Sequence, residues 1–149
     1  MGGVSETLYN QQILRLAASV PFDSRLADAQ GSSEKRSPVC GSRVTVDVSL
    51  GDDGRVADVG MRVRACALGQ ASAALMAANA VGRMPEELAA ARDALTAWLA
   101  GEGPVPDWPE LDIFAPALPY TARHPSVRLA FEAAAEAAEA ARQRVPAGG

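Results

Sequence analysis

Two cysteines and a single histidine are the residues of this 149-residue chain best suited to soft-metal or sulfur chemistry. Cys40 stands in Ser37-Pro38-Val39-Cys40-Gly41, a turn-forming run just before the alternating stretch RVTVDVSL. Cys66 stands in VRACALGQASAALM, where a second alternating stretch gives way to an uncharged, alanine-rich run. Two thiols so placed can be small buried hydrophobes, a redox pair, or half of a metal site. His124 is either a further ligand, since imidazole suits both iron and zinc, or a partly exposed loop residue fixed by Pro125.

The elements that must position these groups are legible in the periodicity. Val44, Val46, Val48 and Leu50 face one way and Arg43, Thr45, Asp47 and Ser49 the other, which is the pattern of a strand with one buried face. Gly51-Asp52-Asp53-Gly54 supplies a hairpin turn. The returning strand runs from Val56 to Ala65, with Val59, Met61, Val63 and Ala65 in phase. Val56 is out of phase with them, which predicts a bulge near Ala57-Asp58. Antiparallel pairing then brings Cys40 and Cys66 to the same end of the sheet. Cys66 lies where a strand ends and a helix begins, and backbone N–H groups at a helix start favour a thiolate.

Helices are expected to cover the apolar face of this sheet. Residues 5 to 19 read as a short amphipathic helix, with Leu8, Leu14 and Leu16 among its apolar positions. Residues 28 to 37 are polar and Ser/Gly-rich and read as a mobile loop. The charge-free run 67 to 81 predicts a helix buried on most sides and ended by Gly82. Pro85, Glu86 and Glu87 open the next helix, Leu88, Ala91, Leu95 and Trp98 form its apolar stripe, and Gly101 follows it. Five of the ten prolines fall in 102–119, which must be largely irregular apart from one turn at PELDIF. A last helix over roughly 126–144 packs through Val127, Ala130, Phe131, Ala134 and Ala138, with Glu132, Glu136 and Glu139 towards solvent. Trp98 and Trp108 read as a core residue and a loop anchor. The class is α+β: a small antiparallel sheet, with a hairpin at its centre, covered on one face by helices.

Composition bounds the function. The chain is expected to form one domain over residues 1–149, with 48% apolar residues to build a core and a disordered tail at 145–149. Net charge is −4 and the longest basic run is Lys35-Arg36, which argues against a nucleic-acid partner. The N-terminus MGGVSETLYNQQILRL lacks a basic region followed by an apolar stretch, so no signal peptide is expected. The uncharged run Ala65 to Gly82 contains Gln70, Ser72 and Asn79, which weigh against a membrane span. A cytoplasmic, reducing location follows, where two cysteines are more often free thiols or ligands than a disulfide. Arg43, Arg62 and Arg64 share the polar face of the hairpin, as a solvated surface or as one that meets an acidic partner.

Pro38-Val39-Cys40-Gly41 before a hairpin, then Ala65-Cys66 with Ala71-Ser72-Ala73 in the following helix, resembles the iron–sulfur cluster assembly scaffold family. That family comprises the NifU N-terminal domain, IscU and SufU. Thr121-Ala122-Arg123 leading into Ser126 and Leu129 is a weaker echo of the same family. The resemblance runs from about Leu8 to Ala140, and the 59 residues between Cys66 and Ser126 are closer to SufU-type spacing. It implies a NifU N-terminal/IscU-like fold and a non-enzymatic scaffold or carrier role. Cys40 and Cys66 would be ligands to iron or an iron–sulfur cluster, or acceptors of persulfide sulfur. It implies a cysteine desulfurase and cluster-accepting apoproteins as partners; with two thiolates per chain, a stable cluster would take a homodimer in which each chain gives Cys40 and Cys66. The alternatives are a metal-free adaptor that keeps the fold and a SufU-like, zinc-dependent sulfur acceptor.

Two departures from the family pattern bear on the site. Ser42 occupies the place of the family's aspartate in Cys-Gly-Asp, and Ser126 that of its third cysteine, with Pro125 before it. A two-iron cluster needs four terminal ligands, as does a structural zinc site, and the cysteines here supply two. A serine hydroxyl is un-ionised near neutral pH and hard where the metal is soft. As a residue at a helix start, Ser126 also reads as an N-cap or first-turn hydroxyl.

Overall fold

The period-2 stretches on either side of Gly51-Asp52-Asp53-Gly54 form the expected hairpin in the computed structural model, which describes residues 11–37 and 41–144. Strands β2 (Arg43–Leu50) and β3 (Val56–Arg64) pair antiparallel, with Arg43 opposite Arg64 and Val48 opposite Val59. Ser49 faces Asp58 but Leu50 faces Val56, so Ala57 is the extra, bulged residue that the phase change anticipates. The turn is closed by bonds from Gly51 N to Arg55 O (2.7 Å) and from Gly54 N to Gly51 O (3.0 Å).

A third strand was not legible. Residues 28–37, read above as a mobile loop, contain β1 (Gly31–Arg36), which pairs with β2 to give a three-stranded sheet in the order β1-β2-β3. The run GSSEKR has no apolar alternation to announce a strand; its order comes from its neighbours. Ser33 and Lys35 reach Glu136 on the last helix. Gly31 lies flush against that helix, where an added β-carbon would fall 2.0 Å from the carbonyl oxygen of Ala137.

Four α-helices lie among the described residues: α1 (Gln11–Ala18), α2 (Ala67–Ala80), α3 (Pro85–Leu99) and α4 (His124–Arg144). Residues 5–10 of the expected first helix and the tail 145–149 lie outside the described residues. Helix α4 is central, contacting β1, β2, α2 and α3, and α1 lies against α2. Alanines at 133, 134, 135, 137, 138 and 141 are all buried on α4, which lets its backbone approach the neighbouring elements closely. Ten residues of α2 are buried, as a charge-free helix requires. Helix α3 begins at Pro85, and the Glu87 carboxylate accepts the Met84 backbone N–H (3.1 Å). Residues 102–120 are largely irregular, with a 3-10 segment at Leu111–Ala117 and Trp108 as anchor. The Trp108 indole N–H donates to Leu75 O (3.0 Å), and its ring meets Phe131 edge-on at 5.2 Å.

The second face of the sheet is not simply solvated. Asp47, on that face, is fully buried beneath segment 20–30. Its carboxylate accepts from Arg25 Nε (2.6 Å) and Nη2 (3.0 Å), from Leu26 N (3.0 Å) and from Ser32 Oγ (2.6 Å). Burial pushes the Asp47 carboxyl up, but the donors from Arg25, Ser32 and Leu26 outweigh it and hold it below its ordinary value. Segment 22–24 also satisfies the outer edge of β3, since Met61 N donates to Phe22 O (2.9 Å) and Ser24 O (3.1 Å).

Candidate functional site at the strand–helix junction

The strand β3 ends at Arg64 and helix α2 begins at Ala67, so Cys66 is the N-cap residue between them. Its backbone is extended (φ −68°, ψ 176°), its carbonyl accepts Gln70 N (2.9 Å), and its thiol makes no capping bond. The side chain is half-buried against the core rather than enclosed in it. A thiol in this position sits beside unsatisfied backbone N–H groups and at the positive end of the helix dipole.

One turn along α2, Gly69 faces the start of α4. A β-carbon there would lie 3.3 Å from Ser126 O and 3.9 Å from Ser126 Cβ, so Ser126 sits beside the first turn that follows Cys66. The next turn fixes the contact, since Ser72 Oγ donates to Val127 O at 2.6 Å in a buried bond. Glycine and serine in ALGQAS are the signals that could have announced this close helix approach; as sequence they read only as small residues of a helix.

The loop between β1 and β2 comes to the same end of the sheet. Ser37 N donates to Ser42 O (2.9 Å) and Gly41 N to Ser37 O (2.9 Å), extending the ladder one step past Arg36 and Arg43. Gly41 has φ +73°, a left-handed turn conformation that glycine adopts without strain. Alternation puts Ser42 on the same face as Val44, the helix side, and it is buried along with Ser37 and Ser126. Cys40, the other expected ligand, lies in 38–40, outside the described residues.

His124 differs from the partly exposed loop residue described above. It opens α4 and is buried, and its Nε2 lies 3.1 Å from Ala117 O and 3.0 Å from Leu118 O. Two carbonyl acceptors make Nε2 the protonated nitrogen and leave Nδ1 as the ring's lone-pair donor. Pro125 stands inside the first turn of α4, where its missing N–H costs no helix bond. Among the described residues, no group of three or more His, Cys, Asp or Glu side chains is gathered as a metal site. No helix of the described residues is long and apolar enough to cross a membrane.

The outer face of the sheet at this end is basic. Arg36, Arg43 and Arg64 stand in register across the three strands, with Glu34, Thr45 and Arg62 in the next row on that face. Arg36 donates to Glu34 at 3.0 Å and holds its carboxyl below its ordinary value. Arg43, Arg62 and Arg64 share this face as their alternation predicts, and Arg36 joins them only through the pairing of β1 with β2.

Comparison with known proteins agrees with this arrangement. No family model matches the chain. Over 85 residues it is 33% identical to the iron–sulfur cluster assembly scaffold protein IscU of Thermotoga maritima, a match covering 57% of this chain. The matched region spans 59% of that curated relative's length. The crystal structure of a nitrogen-fixing NifU-like protein (N-terminal) from Brucella abortus superposes with a TM-score of 0.89 at 36% identity, covering 96% of this chain and 100% of that one. A protein from Fervidobacterium islandicum AW-1, described as a putative scaffold for the SUF system, has a TM-score of 0.81 over 90% of this chain and 98% of its own. At 20% identity it speaks to the fold alone. Identity and superposition over nearly the whole of both chains, with Cys66 at the strand–helix junction, lead to one assignment: the chain belongs to the NifU-like iron–sulfur cluster assembly scaffold family.

Proposed function

We propose that this protein takes part in iron–sulfur cluster biogenesis as a scaffold-type carrier rather than an enzyme. Iron, sulfur or a nascent cluster is its cargo, held at Cys66 and Cys40. The observation that carries the reading is the seat of Cys66: a half-buried thiol at a helix start, with Ser126 of α4 beside the next turn. Such a thiol is accessible to a donor, and it stands at the N-terminal end of a helix. By resemblance to the family, the donor is a cysteine desulfurase and the recipients are cluster-accepting apoproteins.

The ligand count shapes how the site would work. Two cysteines per chain leave a two-iron cluster two thiolates short, and Ser126 offers a hydroxyl in place of a third thiolate. His124 has only Nδ1 left to offer, because Nε2 is engaged by Ala117 and Leu118. We therefore read the cluster-bearing state as a homodimer in which each chain contributes Cys40 and Cys66. Zinc held by the same thiolates, with sulfur accepted at one of them, is the SufU-like variant of this reading.

Anaerobic reconstitution with ferrous iron and sulfide, followed by size-exclusion chromatography and elemental analysis, tests it. The expected product is a coloured species eluting as a dimer, absent from Cys66→Ser. A strongly coloured monomer would contradict the shared-ligand arrangement. Protein that takes up neither iron nor zinc would favour the metal-free adaptor.

A further inference from the structure

We propose that the basic end of the sheet's outer face, beside Cys66, is a docking surface for an acidic segment of a partner protein. Arg36, Arg43 and Arg64 are direct cross-strand neighbours, and Arg62 lies one row along on the same face. Four guanidiniums and one carboxylate, Glu34, thus share a surface spanned by three strands, on a chain whose net charge is −4. Arg62 and Arg64 are exposed, the Arg36 side chain is 65% exposed, and Arg43 is half-buried. Among the described residues, Arg36–Glu34 is the one ion pair these four arginines make.

Like charges directly opposite across strands destabilise a sheet, and these arginines lie on the side away from the helical core. The other half of the same face shows how the chain treats a charge it uses internally: Asp47 is buried and bonded to Arg25 under segment 20–30. The arginines gather on the half that this segment leaves open. Guanidinium forks match carboxylates in bidentate geometry, which makes an acidic peptide strand the complementary occupant. A nucleic acid would need a longer basic track than one sheet end, on a chain that is otherwise acidic.

The location gives the surface its use. Arg64 is two residues before Cys66, and Arg36 and Arg43 flank the Ser37–Ser42 closure of the loop between β1 and β2. A segment seated on the row ends two residues along the chain from Cys66. Register and charge alone make the docking surface; its use in presenting a donor or acceptor to Cys66 rests on the scaffold reading above.

The test titrates the full chain into a fluorescein-labelled oligoglutamate of about ten residues at ~50 mM salt, read by anisotropy, where screening is weak. Arg36→Gln/Arg43→Gln/Arg64→Gln is compared with Arg15→Gln/Arg92→Gln/Arg123→Gln, which removes the same charge elsewhere. The expected result is binding by the wild type and the control, weakened about tenfold or more in the sheet-face variant and lost towards ~300 mM salt. Equal binding by the two variants overturns the proposal. So does a single-stranded oligonucleotide of equal length that binds as tightly through the same arginines. A salt-sensitive dimer of the wild type, absent from the sheet-face variant in analytical ultracentrifugation, would overturn it in favour of a second copy as occupant. Iron uptake by the sheet-face variant is measured in parallel. Normal uptake without peptide binding supports the surface, and peptide binding that survives Cys66→Ser shows that the surface stands even if the scaffold reading falls.

Discussion

Ser72 Oγ donates a 2.6 Å hydrogen bond to the carbonyl oxygen of Val127, tying the second turn of α2 to the first turn of α4. This bond, with the close approach at Gly69, sets where Ser126 stands relative to the helix that begins at Cys66. Replacing Ser72 by alanine removes a buried bond and is expected to cost about 1–2 kcal/mol in urea unfolding. On a Cys40→Ser background, labelling of the Cys66 thiol by a disulfide reagent should also quicken. An unchanged rate would mean that the bond stabilises the helices without fixing the junction.

Restoring the thiolate missing at position 126 should raise metal affinity. Ser126→Cys is nearly isosteric and fits a buried site, so it should cost less than about 1 kcal/mol of stability. Ser42→Asp enlarges a side chain that is also buried, and is expected to cost more, roughly 1–3 kcal/mol. Competition against a chromogenic chelator under reducing conditions should show tighter zinc binding by Ser126→Cys than by the natural chain, and tighter still with both changes. Affinity unaltered by Ser126→Cys would mean that this position does not face the cysteines.

Acid should unfold the protein partly through Asp47. Its carboxyl is held below the ordinary value by Arg25, Ser32 and Leu26, although burial alone would raise it. A folded-state value below the unfolded one, about 3.9, contributes stability that is fully present above that pH and is lost as pH falls through the folded value. Asp47→Asn should therefore lower stability at pH 7 by about 1–3 kcal/mol and flatten the decline below about pH 4. Urea midpoints at pH 7, 5 and 3 for both proteins check this, and parallel pH profiles would remove Asp47 from the account.

Much of the frame was legible because its signals are local. The alternation of Val44–Leu50 and Val59–Ala65 around Gly51–Gly54, with Val56 out of phase, determined the hairpin and its bulge at Ala57, since side-chain direction in a strand repeats every two residues. The charge-free run after Cys66 determined a buried helix, and with it the strand–helix junction that seats the thiol. Only the tertiary structure decided the rest. GSSEKR becomes a strand because β2 offers it a ladder and α4 lies flush at Gly31; nothing in its own composition demands that. Asp47 is satisfied in its buried place by Arg25, 22 residues earlier, together with Leu26 and Ser32. His124 is spoken for by carbonyls that the irregular segment 102–120 brings back, and Ser126 meets Gly69 across two helices. These relations join groups that are distant along the chain, so no window of sequence contains them; they exist only once long-range packing has closed the loops between them.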